Sequence, residues 1–355
     1  MNSPIDFLLR PVAMSDLPAL ERIAAASEHG ISSLPHDRDK LAERIARSLQ
    51  SFASRDAASG EETYLFVLED CRQGRVVGTS GIAASAGFHD RFYSYRNEFV
   101  VHTSAALGVS QRVHTLHLCH DLTGYTLLTS FYLEPAYEQG PAAQLLSRAR
   151  LLFIQACAER FNDRIAAESP GLSNAAGHCP FWDAVGRRFF NMDYPQAEAV
   201  TGGRSKAFIA DLMPHSPIYV PLLPEAAQWA IGQLHPVGEL PFSILLDEGF
   251  DADTYVDIFD GGPTVEASLA LLRSVRHARE LRVREGGPSQ GAESEGGVWH
   301  LLATRQRERF TAVLAQLPSA AQDLAPGHEA ALRLGALAGA RLSATPLWPD
   351  AGRAA

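Results

Sequence analysis

The sequence predicts an α/β (α+β) fold, a mixed sheet with flanking helices, and three observations carry that expectation. Apolar residues recur at helical spacing in two early stretches and in one long stretch beyond residue 140. Between them lie segments rich in β-branched and aromatic residues. The last of these runs through a glycine-containing turn straight into the long helical stretch, in LLTSFYLEPAYEQGPAAQLLSRARLLF.

The elements follow in order. DFLLRPV is a short strand ended by Pro11, and SDLPALERIAAAS follows it as a helix. Ser15 is placed to cap that helix, with Leu17, Leu20, Ile23 and Ala24 on one face. DRDKLAERIARSLQSF sets Leu41, Ile45, Ser48 and Leu49 on one face of a second helix. TYLFVLED, RVVGTSGIAAS, NEFVVHTS and VHTLHLCHDL read as an antiparallel meander, which TLLTSFYLEP continues. The helix from Pro141 to Ala158 buries Leu145, Leu146, Ala149, Leu152, Phe153 and Ala156, and Pro141 suits the first helical position, where no N–H is needed. RIAAES is a short strand and CPFWDAVGRRFFNMDY an aromatic-rich helix with a turn.

Beyond these, KAFIADLM reads as a strand, PEAAQWAIGQL and PFSILLDEGF as helices, and TYVDIFDGGPTVEA as a strand entering a tight turn capped by Asp257 and Asp260. From Leu281 the chain breaks into short β-like pieces around REGGPSQGAESEGG, a tract too polar to bury itself. Three segments result: 1–197, then 198–280 packed on it, then a small β-rich module over 281–355 with a flexible loop at 284–297.

At 355 residues, 46% hydrophobic and 20% charged, the chain has enough apolar residues for a sizeable core. A net charge of -10 with no basic stripe argues against nucleic acid and acidic membranes as partners, since both are held by clustered cations. Cys71, Cys119, Cys157 and Cys179 are widely spaced and read as reduced thiols. The start lacks a basic segment followed by an apolar one, and no run of 18 apolar residues occurs, so the expectation is a cytoplasmic protein outside the membrane.

Several residues are candidates for chemistry. His114, His117 and His120 would gather a metal only on a helix; on a strand, His117 points away from the other two, and no metal is expected. His120 and Asp121, before the Thr123-Gly124 turn, either line a cleft, where Asp121 could meet a guanidinium, or cap the turn. Arg96, Asn97 and Glu98 either project into a pocket, where Arg96 could hold a carboxylate, or form a solvated strand edge. Glu168, at the end of a strand, serves as a base, a substrate anchor or a structural group. Cys119 has no base and orienting partner evident and reads as a buried thiol. The helix start after Gly140 offers free N–H groups and a positive dipole end to a phosphate. The turn itself, Tyr137 to Ala143, holds no Lys or Arg, carries Glu138, and loses a donor at Pro141.

The order of elements is that of the acyl-CoA N-acyltransferase (GNAT) fold. FYSYRNEFVVHTS, LCHDLTGYTLLTSFYL, CPFWDAVGRRFF, DLMPHSPIYVPLLPEAAQ and YVDIFDGGPTVEA resemble the arginine N-succinyltransferase family, over most of Arg10 to Val275. YRNEFVVH and the LCHDLTGYTLLTSFY stretch are most similar to the alpha chain of a two-subunit arginine/ornithine succinyltransferase. The resemblance implies succinyl transfer from succinyl-CoA to the α-amino group of L-arginine or L-ornithine, without a metal, alongside a paralogous beta subunit. It also implies a succinyl-CoA lane along Tyr132, Leu133, Gln139, Gly140, Ala142 and Ala143, with His120, Asp121 and Glu168 as catalytic candidates and Arg96, Asn97 and Glu98 toward the substrate. The sequence departs from the family where an A-E-x-R-G-x-S-D-E-x-G stretch reads AESPGLSNAAG, from Ala167 to Gly177, losing an arginine and two acids. The alternative is therefore a non-catalytic partner of a paralogous active chain; an acyltransferase for another amine is a third. The subunit interface is expected around Phe181, Trp182, Phe189 and Phe190.

Overall fold

The computed structural model describes residues 6–26, 34–174, 176–201, 207–285, 297–318 and 321–348. The strands are β1 (Phe7–Pro11), β2 (Thr63–Asp70), β3 (Arg75–Ala83), β4 (Ser94–Ser104), β5 (Val109–Cys119), β6 (Thr126–Leu133), β7 (Arg164–Glu168), β8 (Ile218–Tyr219), β9 (Asp251–Val256), β10 (Pro263–Ser268), β11 (Arg279–Val283), β12 (Val298–Thr304), β13 (Ala312–Leu317), β14 (Asp323–Leu324) and β15 (Arg341–Pro346). They join in one sheet in the order β14-β11-β15-β12-β13-β1-β2-β3-β6-β7-β10-β9-β4-β5-β8. Only β6 with β7 and β11 with β14 run parallel among the described residues.

The expected meander is broken. β3 pairs with β6, while the β4–β5 hairpin stands on the far side of β7, β10 and β9. Hydrophobic pattern identifies a strand but not its partner, and long-range pairing with β9 overrides the local order.

Helices α1 (Leu17–Ala26) and α2 (Arg38–Ala53) cover one face of the central sheet, packing on Leu65, Val67 and Val76. Asp37 caps α2 by accepting from the Lys40 N–H at 2.9 Å. Ahead of α1, Asp16 rather than Ser15 closes the turn, accepting from the Ala13 N–H at 2.8 Å and pairing with Arg10. Leu41, Ile45 and Ser48 are buried as expected, but Leu49 is exposed and Phe52 takes the inward place. On the other face lies α3 (Ala142–Ala156), whose Leu145, Leu146, Ala149, Leu152 and Phe153 meet Tyr64, Phe66 and Leu68.

The remaining helices are short: α4 (Pro180–Ala184), α5 (Gly186–Phe190), α6 (Tyr194–Thr201), α7 (Ala207–Ala210), α8 (Glu225–Ala230), α9 (Glu239–Glu248), α10 (Arg273–Arg276) and α11 (Glu329–Arg333). Two expectations change here. KAFIADLM contributes the helix α7 rather than a strand, because a short apolar run does not by itself separate the two. Phe181 and Trp182 are fully buried against Tyr95, Val185, Ile258 and Phe259 within the chain, so they are core and not an intersubunit surface; Phe189 alone of the four is exposed. Most of the Arg284–Gly297 tract, 286–296, lies outside the described residues.

Candidate active site

The parallel pair at the centre of the sheet is where the site begins. β6 and β7 are in register at Thr126, Leu127 and Leu128 with Ile165, Ala166 and Ala167, and then part. At that point the pairing of β6 with β3 also shifts, and Ser130 takes a left-handed conformation with φ of 56°. A non-glycine residue held there needs support. Thr79 Oγ1 donates to the Ser130 carbonyl at 2.9 Å, and Arg44 of α2 donates to the Ser130 hydroxyl. The strand lies so close to β3 that a Cβ on Gly81 would stand 2.8 Å from Thr129 Oγ1, and one on Gly78 2.8 Å from the Tyr132 carbonyl.

Beyond the parting, β6 carries Tyr132 and the buried Leu133, then a 3₁₀ turn at Pro135–Tyr137, and α3 starts after Gly140 and Pro141. Gln139 and Gly140 are exposed, whereas Ala142 and Ala143 are buried. Tyr137 fixes the turn by donating to Asp70 Oδ2 at 3.0 Å. The positive charge absent from the turn comes from elsewhere in the chain. Arg75 stands 5.8 Å over the Tyr137 ring and forms two bonds to Glu134, at 3.0 and 2.6 Å; Arg22 reaches Glu134 at 3.2 Å.

Alongside the parting lies a polar row. The registers align Glu168 with Thr264, Thr264 with Tyr255, Tyr255 with Arg96, and Arg96 with His117, across five strands. Directly opposed residues share a face, so these side chains stand on one side of the sheet. Asp121, just past β5, joins them: its Oδ2 accepts from Arg96 Nη1 at 2.9 Å and from the Tyr255 hydroxyl at 3.3 Å. Arg96 also pairs with Glu98, which lies 3.5 Å from His117 Nε2. Burial, then the neighbouring Asp121 charge, pushes the Tyr255 phenol well above its usual range and keeps its proton in place. Burial likewise raises the Cys119 thiol, leaving it un-ionised.

The row is anchored at its Glu168 end. Asp260 caps the β9–β10 turn and reaches across to the Gly171 N–H at 2.8 Å; Asp257 takes the Phe259 N–H at 2.6 Å. The two loops touch so closely that a Cβ on Gly262 would stand 2.3 Å from the Ser169 carbonyl.

Of the sequence candidates, Arg96, Glu98, Asp121 and Glu168 thus share one face. Asn97 points to the other, donating to the Asp253 carbonyl at 3.3 Å and bonding His114. His120 is exposed, edge-on to Tyr93, with its backbone in the Thr123 turn. Among the described residues no group of three or more His, Cys, Asp or Glu is gathered as a metal site. The sequence reading did not single out Tyr255, Ser130, Arg44 or Arg75, which the fold brings to this region. Tyr255 gave one faint signal, as a polar tip inside a β-type run.

A parallel strand pair that parts at a bulge, with a long helix starting at the open end and polar side chains beside the gap, defines an acyl-CoA N-acyltransferase of the GNAT fold. The chain belongs to the arginine N-succinyltransferase family. A family model described as the arginine N-succinyltransferase beta subunit matches residues 7–274. The arginine N-succinyltransferase subunit alpha of Pseudomonas aeruginosa is 47% identical over 92% of this chain and 93% of its own length. Subunit beta of the same organism is 39% identical over 96% and 98%, and arginine N-succinyltransferase of Escherichia coli 38% over 89% and 91%. The solved structure of arginine/ornithine succinyltransferase subunit AI from Pseudomonas aeruginosa superimposes with a TM-score of 0.84 at 43% identity, covering 96% of this chain and 99% of that one. The chain is accordingly an acyltransferase of the arginine N-succinyltransferase type.

Proposed function

We propose that the chain is an alpha-type subunit that moves succinyl from succinyl-CoA to the α-amino group of L-arginine, or of L-ornithine, in the cytoplasm and beside a paralogous beta subunit. The alpha assignment follows the higher identity to the alpha relative, 47% against 39%. The observation that carries the site is the row Glu168–Thr264–Tyr255–Arg96 with Asp121, set beside the parting of β6 and β7.

The thioester lies along β6 past Ser130, with Tyr132 and Leu133 as its wall and the phosphates at the start of α3, by Gln139, Gly140, Ala142 and Ala143. The N–H groups at that helix start and Arg75 supply the positive potential. The neutral amine attacks the thioester carbonyl, a C–N bond forms, and the C–S bond breaks to release CoA as thiolate. Glu168, the last residue of β7 and next to the gap, accepts the amine's proton directly or through water. Asp121 meets the cationic end of the acceptor, and Arg96 its α-carboxylate. Tyr255 keeps its proton and holds Asp121 in place. His120 serves as an outer wall to the same cleft, and Asn97 fixes the β4–β9 contact from behind.

Asp121→Asn in the assembled enzyme is expected to raise the KM for arginine, or lower kcat, by at least about tenfold with thermal stability nearly unchanged. Normal kinetics in a poorly folding variant would make Asp121 a turn cap and remove it from the site. A specific feature favours a second reading, that of a non-catalytic partner: the stretch Ala167 to Gly177 lacks the family's arginine and two acids. Arginine-dependent release of CoA by the chain without any partner would eliminate that second reading.

A further inference from the structure

Arg150 stands at the end of the acyl lane, with Arg44 across the sheet from it. Arg150 of α3 is 3% exposed, and its partners are all neutral: the Ser147 carbonyl at 3.0 Å, the Ser147 hydroxyl at 3.0 Å, the Thr129 carbonyl at 3.5 Å and the Phe131 ring at 5.8 Å. Among the described residues no carboxylate lies within ion-pairing distance of it. Burial by itself holds its guanidinium down to about 9. A buried cation without a counter-ion is costly to keep.

Arg148, two residues earlier and fully buried, shows what this fold does when an arginine is structural. It has Glu248 at 3.1 Å and Asp247 at 3.7 Å, and donates to the Leu347 carbonyl at 2.9 Å. Arg150 receives no such carboxylate. A guanidinium has five N–H donors, so the three bonds made leave two for a ligand.

Arg44 approaches the same place from the opposite side of the sheet. It lies on α2, which packs with α1 on Leu65 and Val67, whereas α3 packs on Tyr64 and Phe66. Arg44 donates to the Ser130 hydroxyl, and burial together with Arg47 lowers it to about 10. Arg44 and Arg150 thus hold the consecutive residues Ser130 and Thr129 from opposite faces where β6 and β7 separate, and neither guanidinium perturbs the other's charge.

Distances along the elements match. From the start of α3 to Arg150 is about 12 Å of helix, and from Leu133 back to Thr129 about 13 Å of strand. A linear ligand with its phosphates at the helix start and its body along β6 directs its acyl end toward Arg150.

We infer that Arg150 binds the terminal carboxylate of the acyl group and makes the lane selective for a dicarboxylic acid monothioester. This rests on the succinyl-transfer reading above and adds the group that tells succinyl from an uncharged acyl chain. A carboxylate there would neutralise Arg150 and take its two remaining donors as a charge-assisted pair.

The test compares succinyl-CoA with butyryl-CoA, of the same chain length but with a methyl for the carboxylate, by calorimetric titration of the full chain with no amine acceptor. The wild type is expected to prefer succinyl-CoA by roughly ten- to a hundredfold, the worth of one or two hydrogen bonds to a charged group. Arg150→Met should lose that preference by weakening succinyl-CoA while leaving butyryl-CoA bound as before. Should the Met variant not fold, Arg150→Lys, which keeps the charge but not the fork, is expected to lose about tenfold of the preference. Equal affinities in the wild type, a parallel loss of both ligands in Arg150→Met, or an unchanged preference in Arg150→Lys would overturn the assignment. Failure of the wild type to bind either thioester would instead overturn the succinyl-transfer reading itself.

Discussion

Tyr255 and Asp121 are 134 positions apart in the chain and share a hydrogen bond of 3.3 Å. Asp121 stood out because an acid before a Thr-Gly turn invites a local explanation. Tyr255 reaches Asp121 only because β9 and β4 align it with Arg96. Buried titratable groups were equally silent, and His300 gives a measurable example. Its Nε2 accepts from Arg279 at 3.2 Å, which leaves Nδ1 to donate to the Val298 carbonyl at 2.8 Å and fixes a neutral ring. Burial, helped by the Arg279 charge, lowers its proton affinity below the ordinary value of 6.5. The unfolded chain then takes up a proton near pH 6.5 that the native chain refuses. Stability is full above that value and is lost as pH falls through it. Urea midpoints at pH 7.5 and 5.5 are expected to fall further for the wild type than for His300→Gln, since the substitution removes the titrating group. Equal falls in the two proteins would show that His300 carries none of the acid sensitivity.

At the scale of elements, the helical periodicities were dependable, and so was the strand–turn–helix passage into α3, because each is encoded within about twenty residues. Strand partners were not, since β3 and β6 are joined across an inserted hairpin. The turn before α3 shows both sides of this. Its lack of Lys and Arg was legible, while the approach of Arg75 and Arg22 from β3 and α1 was not. These two share Glu134, which leaves one net positive charge, and the exposed Glu138 at the helix start cancels it. Glu138→Lys replaces a charge that offsets the positive end of the helix dipole by one that supports a bound phosphate. It is expected to tighten CoA binding by about tenfold at low salt, with most of the gain gone near 0.5 M salt. Calorimetry with CoA at two ionic strengths measures this; an unchanged affinity would place the phosphates away from this turn.

At the scale of the whole molecule, one sheet carries strands from all parts of the chain, yet one piece of it stands apart. β4 and β5 pair along their full length, from Ser94 with Cys119 to Ser104 with Val109. Among the described residues β9 pairs with β4 at Tyr95 and Arg96, and β8 pairs with β5 at Thr115 and Leu116. The outer part of the hairpin is thus a two-stranded ribbon, and such ribbons are marginal alone in water. It also exposes apolar side chains: Phe99 by 49%, Val101 by 63% and Leu107 by 77%. Phe99 and Val101 alternate on the face opposite Arg96 and Glu98, so a partner seated there would stiffen the strand that carries Arg96 without covering the polar row. With Phe181 and Trp182 committed to the core, the proposed reading as one of two subunits places the contact with the partner on this ribbon. Val101→Glu with Leu107→Glu is expected to leave the chain's own unfolding midpoint nearly unchanged, since both side chains are already in water. The same pair of charges should abolish co-elution with the beta-type chain in size-exclusion chromatography with light scattering. It should also raise the KM for arginine in the mixture, through the loosened Arg96. Normal assembly of the doubly substituted chain would move the subunit contact elsewhere, and an altered unfolding midpoint would show that the ribbon packs on its own protein.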